Sequence, residues 1–265
     1  MVESLKELNQ ICQKPRYREV GNWMVCHILR DAALPVTWLL LHTQISANQV
    51  TLISLGVAAL SLFCYSLNGF VFFLVSSLLL QFWYLLDHVD GQIARYRKTA
   101  SLSGRFYDFI MHHAVHGSIF FTMSFYSFNQ TQNAFFLVWG FLISLCIILF
   151  NLIHDAKYKT FFEKLKTRKT ISLSQAEISN TGGSKPEAGL KSVFSILHKL
   201  CEIHVVMNII TIASLLQFFV PADLRFLLFL VYGIVVPFVS ITKLSYIILR
   251  KKIDEEFARE FILQD

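Results

Sequence analysis

Three carboxylates constrain this chain more than any other feature. Between Asp31 and Asp155 the only acidic residues are Asp87, Asp90 and Asp108, and they lie inside long apolar runs. An ionised carboxylate in or beside hydrocarbon costs several kcal/mol unless it is paired or metal-bound. Asp87, Asp90 with Gly91, and Ala94 recur at i, i+3/i+4 and i+7, so they share one helix face. Asp108 and His112 are four residues apart and share a face of the next helix. The break between the helices is predicted near Lys98 to Ser103. Two antiparallel helices with so short a connection bring these faces together at one end. Gly91, Ala94 and Gly104 leave the faces bare, so a ligand can approach the backbone closely. Oxygen ligands suit hard cations such as Mg²⁺, Mn²⁺ or Ca²⁺, which usually hold phosphates. The residues therefore point to a metal-dependent site for a phosphate-bearing substrate at a membrane surface. Structural pairing of the carboxylates with Arg95, Arg97 or Arg105 is the alternative.

The same stretch resembles the signature of the CDP-alcohol phosphotransferases (CDP-alcohol phosphatidyltransferases), D-x2-D-G-x2-A-R-x8-G-x3-D-x3-D. It matches at Asp87, Asp90, Gly91, Ala94, Arg95, Gly104 and Asp108, with the x8 gap intact. The last motif Asp is His112 here. The resemblance implies transfer of a substituted phosphate from a CDP-linked donor, CDP-diacylglycerol or a CDP-amino-alcohol, to an alcohol acceptor. The hydroxyl attacks the β-phosphate, CMP leaves, and the product belongs to phospholipid biosynthesis. It further implies Mg²⁺ or Mn²⁺ held by Asp87, Asp90, Asp108 and His112, and catalytic roles for Asp108 and His112. Asp87, Asp90, Gly91, Ala94, Arg95 and Gly104 would contact the nucleotide, beside a helix start carrying Asn48 and Thr51. A homodimer embedded in the bilayer is implied, and no nucleic-acid partner.

Histidine can accept a proton and can bind metal through a ring nitrogen. It also removes one negative charge from a site built for hard cations. His112 thus leaves two readings: an enzyme of altered activity, or a non-catalytic descendant that binds CDP or lipid. A membrane prenyltransferase of the aspartate-rich type does not account for Gly91, Ala94 and Arg95. A cation transporter does not account for carboxylates gathered at one end.

Other residues carry open alternatives. His116 continues the Asp108–His112 stripe, as a second ligand or as a packing histidine. Asn48 and Thr51 line the nucleotide, or the segment is a plain helix cap through Ser46 or Asn48. Lys243 snorkels from the last span or reaches a phosphate. Arg95 contacts phosphate or bridges the carboxylates. His88 and His113 receive no catalytic role. Family members using phosphorylated acceptors often carry Lys or Arg after the last motif Asp; His113 in that place tilts toward an unphosphorylated alcohol.

At 265 residues, 54% hydrophobic and only 16% charged, the chain reads as an all-α polytopic membrane protein. Six stretches are long enough to cross: Asn48–Leu67, Phe70–Ala94, Leu102–Phe128, Ala134–Ile153, Val205–Val220 and Phe226–Leu249. Residues 1–47 are expected to form N-terminal interfacial and juxtamembrane helices. Residues 48–156 hold the first four spans and the motif. Residues 157–203 form a basic cytosolic linker, partly disordered around Thr-Gly-Gly-Ser-Lys-Pro, with an amphipathic surface helix near Lys191–His204. Residues 204–250 hold the last two spans and 251–265 a charged, helical cytosolic tail. Arg95, Arg97, Lys98, Arg105, the linker and Arg250–Lys252 share one side, and the other side holds essentially only Arg225. Both termini and the motif are therefore expected to face the cytoplasm. The five cysteines are scattered without C-x-x-C pairs, against a disulfide framework or zinc knuckle. The first thirty residues hold no apolar core of the kind a cleavable signal peptide needs.

Overall fold

The computed structural model describes residues 3–13, 16–19, 22–166, 172–173 and 190–262. Ten helices follow in chain order: α1 (Leu5–Cys12), α2 (Arg30–Leu41), α3 (Ala47–Ser66), α4 (Phe70–Tyr96), α5 (Leu102–Thr131), α6 (Phe135–Lys166), α7 (Leu190–Leu200), α8 (Ile203–Leu216), α9 (Leu224–Leu249) and α10 (Lys252–Glu260). A π-helical turn, Val25–Leu29, leads into α2, and a two-residue antiparallel pairing joins Ser172–Leu173 to Phe261–Ile262.

Local sequence explains the helix boundaries. Ser46 and Gln49 form a capping box at the start of α3, Ser101 caps α5, and Asp223 accepts from the first amides of α9. The turn between α3 and α4 uses Gly69 at φ 107°, a backbone conformation that suits glycine.

Helix α4 is the axis of the molecule and packs against α1, α2, α3 and α8. Its buried side, with Phe73, Leu80, Trp83, Val89 and Ile93, is continuous with the two apolar cores. Lipid offers little hydrophobic drive between helices, so small residues and hydrogen bonds hold them together. Ser61 Oγ donates to the Ser76 carbonyl at 2.7 Å, and the Ser77 and Ser214 hydroxyls meet at 2.7 Å. A Cβ on Gly140 would stand 1.9 Å from Ser124 Cβ, so α5 and α6 touch at a distance only glycine permits.

The chain is a multi-pass membrane protein. Helices α3, α4, α6 and α9 are long and apolar enough to cross a bilayer; α7 and α8, meeting at a 77° bend, make a fifth crossing if read as one broken span. Helix α5, with 30 residues, is about 45 Å long. Its apolar character is diluted by His112, His113, His116 and a run of hydroxyl side chains. The six expected spans correspond to α3, α4, α5, α6, α8 and α9, of which α5 and α8 do not reach that length and apolarity on their own.

Several boundaries differ from expectation. Helix α6 runs past Ile153 to Lys166, so the start of the expected linker is helical. The Thr-Gly-Gly-Ser-Lys-Pro segment lies outside the described residues. The expected amphipathic helix breaks at Cys201–Glu202, and His204 belongs to α8. Helix α1 buries Leu8 and Cys12 in the core shared with α2 and α4. Arg225, expected as essentially the only basic residue of its side, is buried: it donates to the Leu67 carbonyl at 2.7 Å and its guanidinium lies 3.8 Å from the Tyr126 ring centre.

Candidate active site between α4 and α5

The turn after α4 sets the geometry. Lys98 adopts φ 55°, its N–H donates to the Arg95 carbonyl, and Thr99 N–H donates to that of Ala94 at 2.9 Å. This is the closure glycine usually provides at a helix end, here carried by a lysine. Ser101 Oγ then accepts from Gly104 N–H at 3.0 Å and starts α5. The connection is short enough to face the last turns of α4 toward the first turns of α5.

Across that junction His112 Nε2 lies 3.1 Å from Asp87 Oδ1 and 3.1 Å from Asp108 Oδ1. A ring N–H serves one acceptor well. It bonds Asp87, and Asp108 Oδ1 is left buried without a hydrogen-bond partner. A buried, acceptor-only oxygen without a donor is costly, and a cation would relieve it. One ligand atom from each of Asp87, Asp108 and His112 lies within 4.8 Å of the others. Two carboxylates and an imidazole in that arrangement fit a divalent cation. Asp90 stands outside this trio: its Oδ2 accepts from Thr51 Oγ1 at 2.5 Å.

A cavity of about 260 Å³ opens beside the trio. Asn48, Thr51, Asp87, Asp90, Gly91, Ala94, Arg95, Gly104 and Asp108 all line it, so every residue singled out for the nucleotide faces one space. Because Ser46 takes the cap of α3, Asn48 is not needed for capping. Arg95 neither bridges the carboxylates nor stands free: its Nε donates to the Cys12 carbonyl and ties α1 to α4. Gly91 makes room for this, since a Cβ there would lie 3.3 Å from an Arg95 guanidinium nitrogen. Arg97 donates to the Thr43 and Ile45 carbonyls at 2.8 and 2.7 Å, fixing the loop that leads to Asn48.

Sequence reasoning did not single out Arg30, Ser101 or Trp83 for the site. Arg30 and Ser101 line the cavity, and Trp83 packs its ring 5.3 Å from that of His112. Ser101 was recoverable as a cap before Gly104. Arg30 had no signal beyond its place at the end of a mixed-charge stretch.

His112 also lines a second cavity, of about 390 Å³, with His116, Lys243 and residues of α6, α7 and α8. His116 is buried, its Nδ1 pairs with Asn151 Nδ2 at 3.0 Å, and it is not in the metal trio. Lys243 Nζ donates to the Phe150 carbonyl at 3.2 Å and lies over the Phe150 ring; it faces the second cavity and not the first. His88 bonds the Tyr84 carbonyl one turn back, and His113 pairs with Asp155 at 2.9 Å.

Residues 44–182 match the family model described as CDP-alcohol phosphatidyltransferase. No curated protein sequence matches the chain.

Proposed function

The chain belongs to the CDP-alcohol phosphatidyltransferase family, and from that premise we propose that it transfers a substituted phosphate from CDP-diacylglycerol or a CDP-amino-alcohol to an alcohol. The observation that carries this reading is the gathering of Asp87, Asp108 and His112 beside a cavity lined by the rest of the motif. Phosphatidyl transfer in phospholipid synthesis, by a membrane enzyme of this type, is the family's general activity. The donor, the metal and the part of His112 are our reading.

Asp87 and Asp108 would hold a divalent cation, Mg²⁺ or Mn²⁺, that would neutralise the donor diphosphate and the leaving phosphate, with His112 Nε2–H donating to Asp87 beside it. Asp90, fixed by Thr51, lies in the wall of the same cavity and completes its acidic lining. The cytidine end of the donor lies along the bare surface of Gly91, Ala94 and Gly104, near Asn48. His112 divides its two nitrogens. Nε2 is committed to the carboxylate side, while Nδ1 makes no hydrogen bond among the described residues. Nδ1 takes the proton of the acceptor hydroxyl as its oxygen attacks the β-phosphorus. The bond from that phosphorus to the CMP oxygen breaks, and CMP leaves with the electron pair. The residue that departs from the family pattern thus keeps the proton-accepting role.

The charge distribution supports six spans, both termini in the cytoplasm, and a site at the cytoplasmic face where a soluble nucleotide meets lipid headgroups. A homodimer is proposed on the family resemblance alone. The test is CMP release from labelled CDP-diacylglycerol and CDP-choline by purified protein, with a panel of alcohols, in Mg²⁺ or Mn²⁺ and in EDTA. Metal-dependent release with one donor supports the reading. No release with either donor, or release indifferent to EDTA, contradicts it.

A further inference from the structure

His112 lines the second cavity and not the first. Ten of its twelve lining residues are polar or charged, with Phe150 and Ile203 the apolar members, although most of the surface they turn toward it is carbon. Four titratable side chains there already have partners. His113 pairs with Asp155 at 2.9 Å, and His204 with Glu202 at 3.3 Å. Both carboxylates of the lining are therefore engaged.

His116 and Lys243 hold donors that these pairs do not use. Asn151 Nδ2 can only donate, so His116 Nδ1 accepts and the ring proton sits on Nε2. That Nε2 is buried and has no hydrogen-bond partner, in a residue 2% exposed. Lys243 is the second: its ammonium uses one donor on the Phe150 carbonyl and makes no ion pair among the described residues. A buried N–H without an acceptor and a half-buried cation without a counter-ion both call for oxygen atoms carrying negative charge.

We propose that this cavity is the chamber of the acceptor and that the acceptor is a hydroxy compound bearing an oxyanion, a carboxylate or a phosphate. The oxyanion sits between Lys243 Nζ and His116 Nε2–H, and the hydroxyl end points to His112. The two residues act as specificity determinants, selecting acid-bearing alcohols over neutral ones. The claim rests on the transfer reading for the word acceptor, but the oxyanion site stands on its own geometry.

The probes are three compounds sharing one hydroxylated carbon frame: glycerol, glycerate and glycerol 3-phosphate. Binding to the purified full chain is measured by calorimetry, without donor. At least one of the two acids should bind at least tenfold more tightly than glycerol. Lys243→Met and His116→Phe should each remove most of that preference, while Lys243→Arg keeps it. The comparison of acids with glycerol in the unaltered protein needs no variant to fold. Glycerol binding as tightly as both acids, or a preference unchanged in a folded Lys243→Met protein, overturns the proposal. The two acid arms separate carboxylate from phosphate. CMP release with the same compounds decides the transfer reading separately: acid binding without any CMP release would leave the oxyanion site standing and remove its role as acceptor chamber.

Discussion

His112 Nε2 lies 3.1 Å from Asp87 Oδ1, across two helices and 25 residues of sequence, and this bond leaves Asp108 Oδ1 buried with no hydrogen-bond partner. Without metal, that oxygen of Asp108 lies 3.1 Å from a ring nitrogen whose proton is already given to Asp87. Asp108→Asn removes that charge and supplies an N–H. Its melting temperature in EDTA should be equal to or above that of the unaltered protein, because the desolvation cost falls. Its metal-dependent affinity for CDP should drop at least tenfold, about 1.4 kcal/mol. A large loss of stability in EDTA together with unchanged CDP affinity would count against Asp108 as a ligand.

Thr51 reaches Asp90 from α3, 39 residues away. Thr51→Val keeps the shape and removes the donor. CDP affinity should fall by roughly threefold to thirtyfold, equivalent to about 0.5–2 kcal/mol, while Ser46→Ala should cost about 1 kcal/mol of stability and leave CDP affinity alone. Equilibrium binding and thermal melts on the two variants separate anchoring of the site from capping of the helix.

Lys98 occupies a left-handed conformation at the turn that aligns α4 with α5. Lys98→Gly should stabilise the protein by about 1 kcal/mol, since the Cβ clash with the neighbouring carbonyl is removed. A melt that moves down instead would show that the lysine side chain contributes more than its backbone costs.

The facing of α4 and α5 was legible because carboxylates are scarce in apolar sequence and the two faces repeat at helical spacing. So were the ends of α3, α4 and α9, within a few residues, from Ser46, Asn68-Gly69 and the Pro221–Arg225 loop. What was not legible depended on long-range contact. Arg95 reads as a phosphate ligand in the motif, yet it bonds the Cys12 carbonyl, 83 residues earlier. Lys243 reads as a snorkelling lysine, yet Phe150 holds it over a cavity whose other walls come from α5, α7 and α8. The bend after α7 carries no proline or glycine, only Cys201-Glu202, so periodicity ran through it.

The tie between Arg95 and α1 has a chemical reporter. Burial pushes the Cys12 thiol up to about 11, so at pH 8 it stays protonated and unreactive while α1 is docked. Its raised value favours the folded state at and below neutral pH, and that contribution is lost as pH climbs from the ordinary thiol range through about 11. In a protein retaining Cys12 as its one cysteine, maleimide labelling at pH 8 should be slow and should accelerate at least tenfold in Arg95→Ala. Equal labelling rates would mean that Arg95 does not hold α1.

The basic-residue asymmetry predicts a cytoplasmic motif and an Asn129–Asn133 loop on the opposite side. A cysteine placed in the Asn129–Asn133 loop of sealed, cytoplasmic-side-out vesicles should resist an impermeant maleimide until detergent is added. Labelling before detergent would invert the orientation.

The central claim is that His112 completes a metal-dependent transfer centre, and the direct measurement is CMP release by the unaltered protein, His112→Ala and His112→Asp across a Mg²⁺ titration. The unaltered protein should release CMP only with metal, and His112→Ala should lose about 10²–10⁴-fold in turnover while still binding CDP. His112→Asp, which restores the family carboxylate, should stay active and need less Mg²⁺. Full turnover in a folded His112→Ala protein would contradict the account.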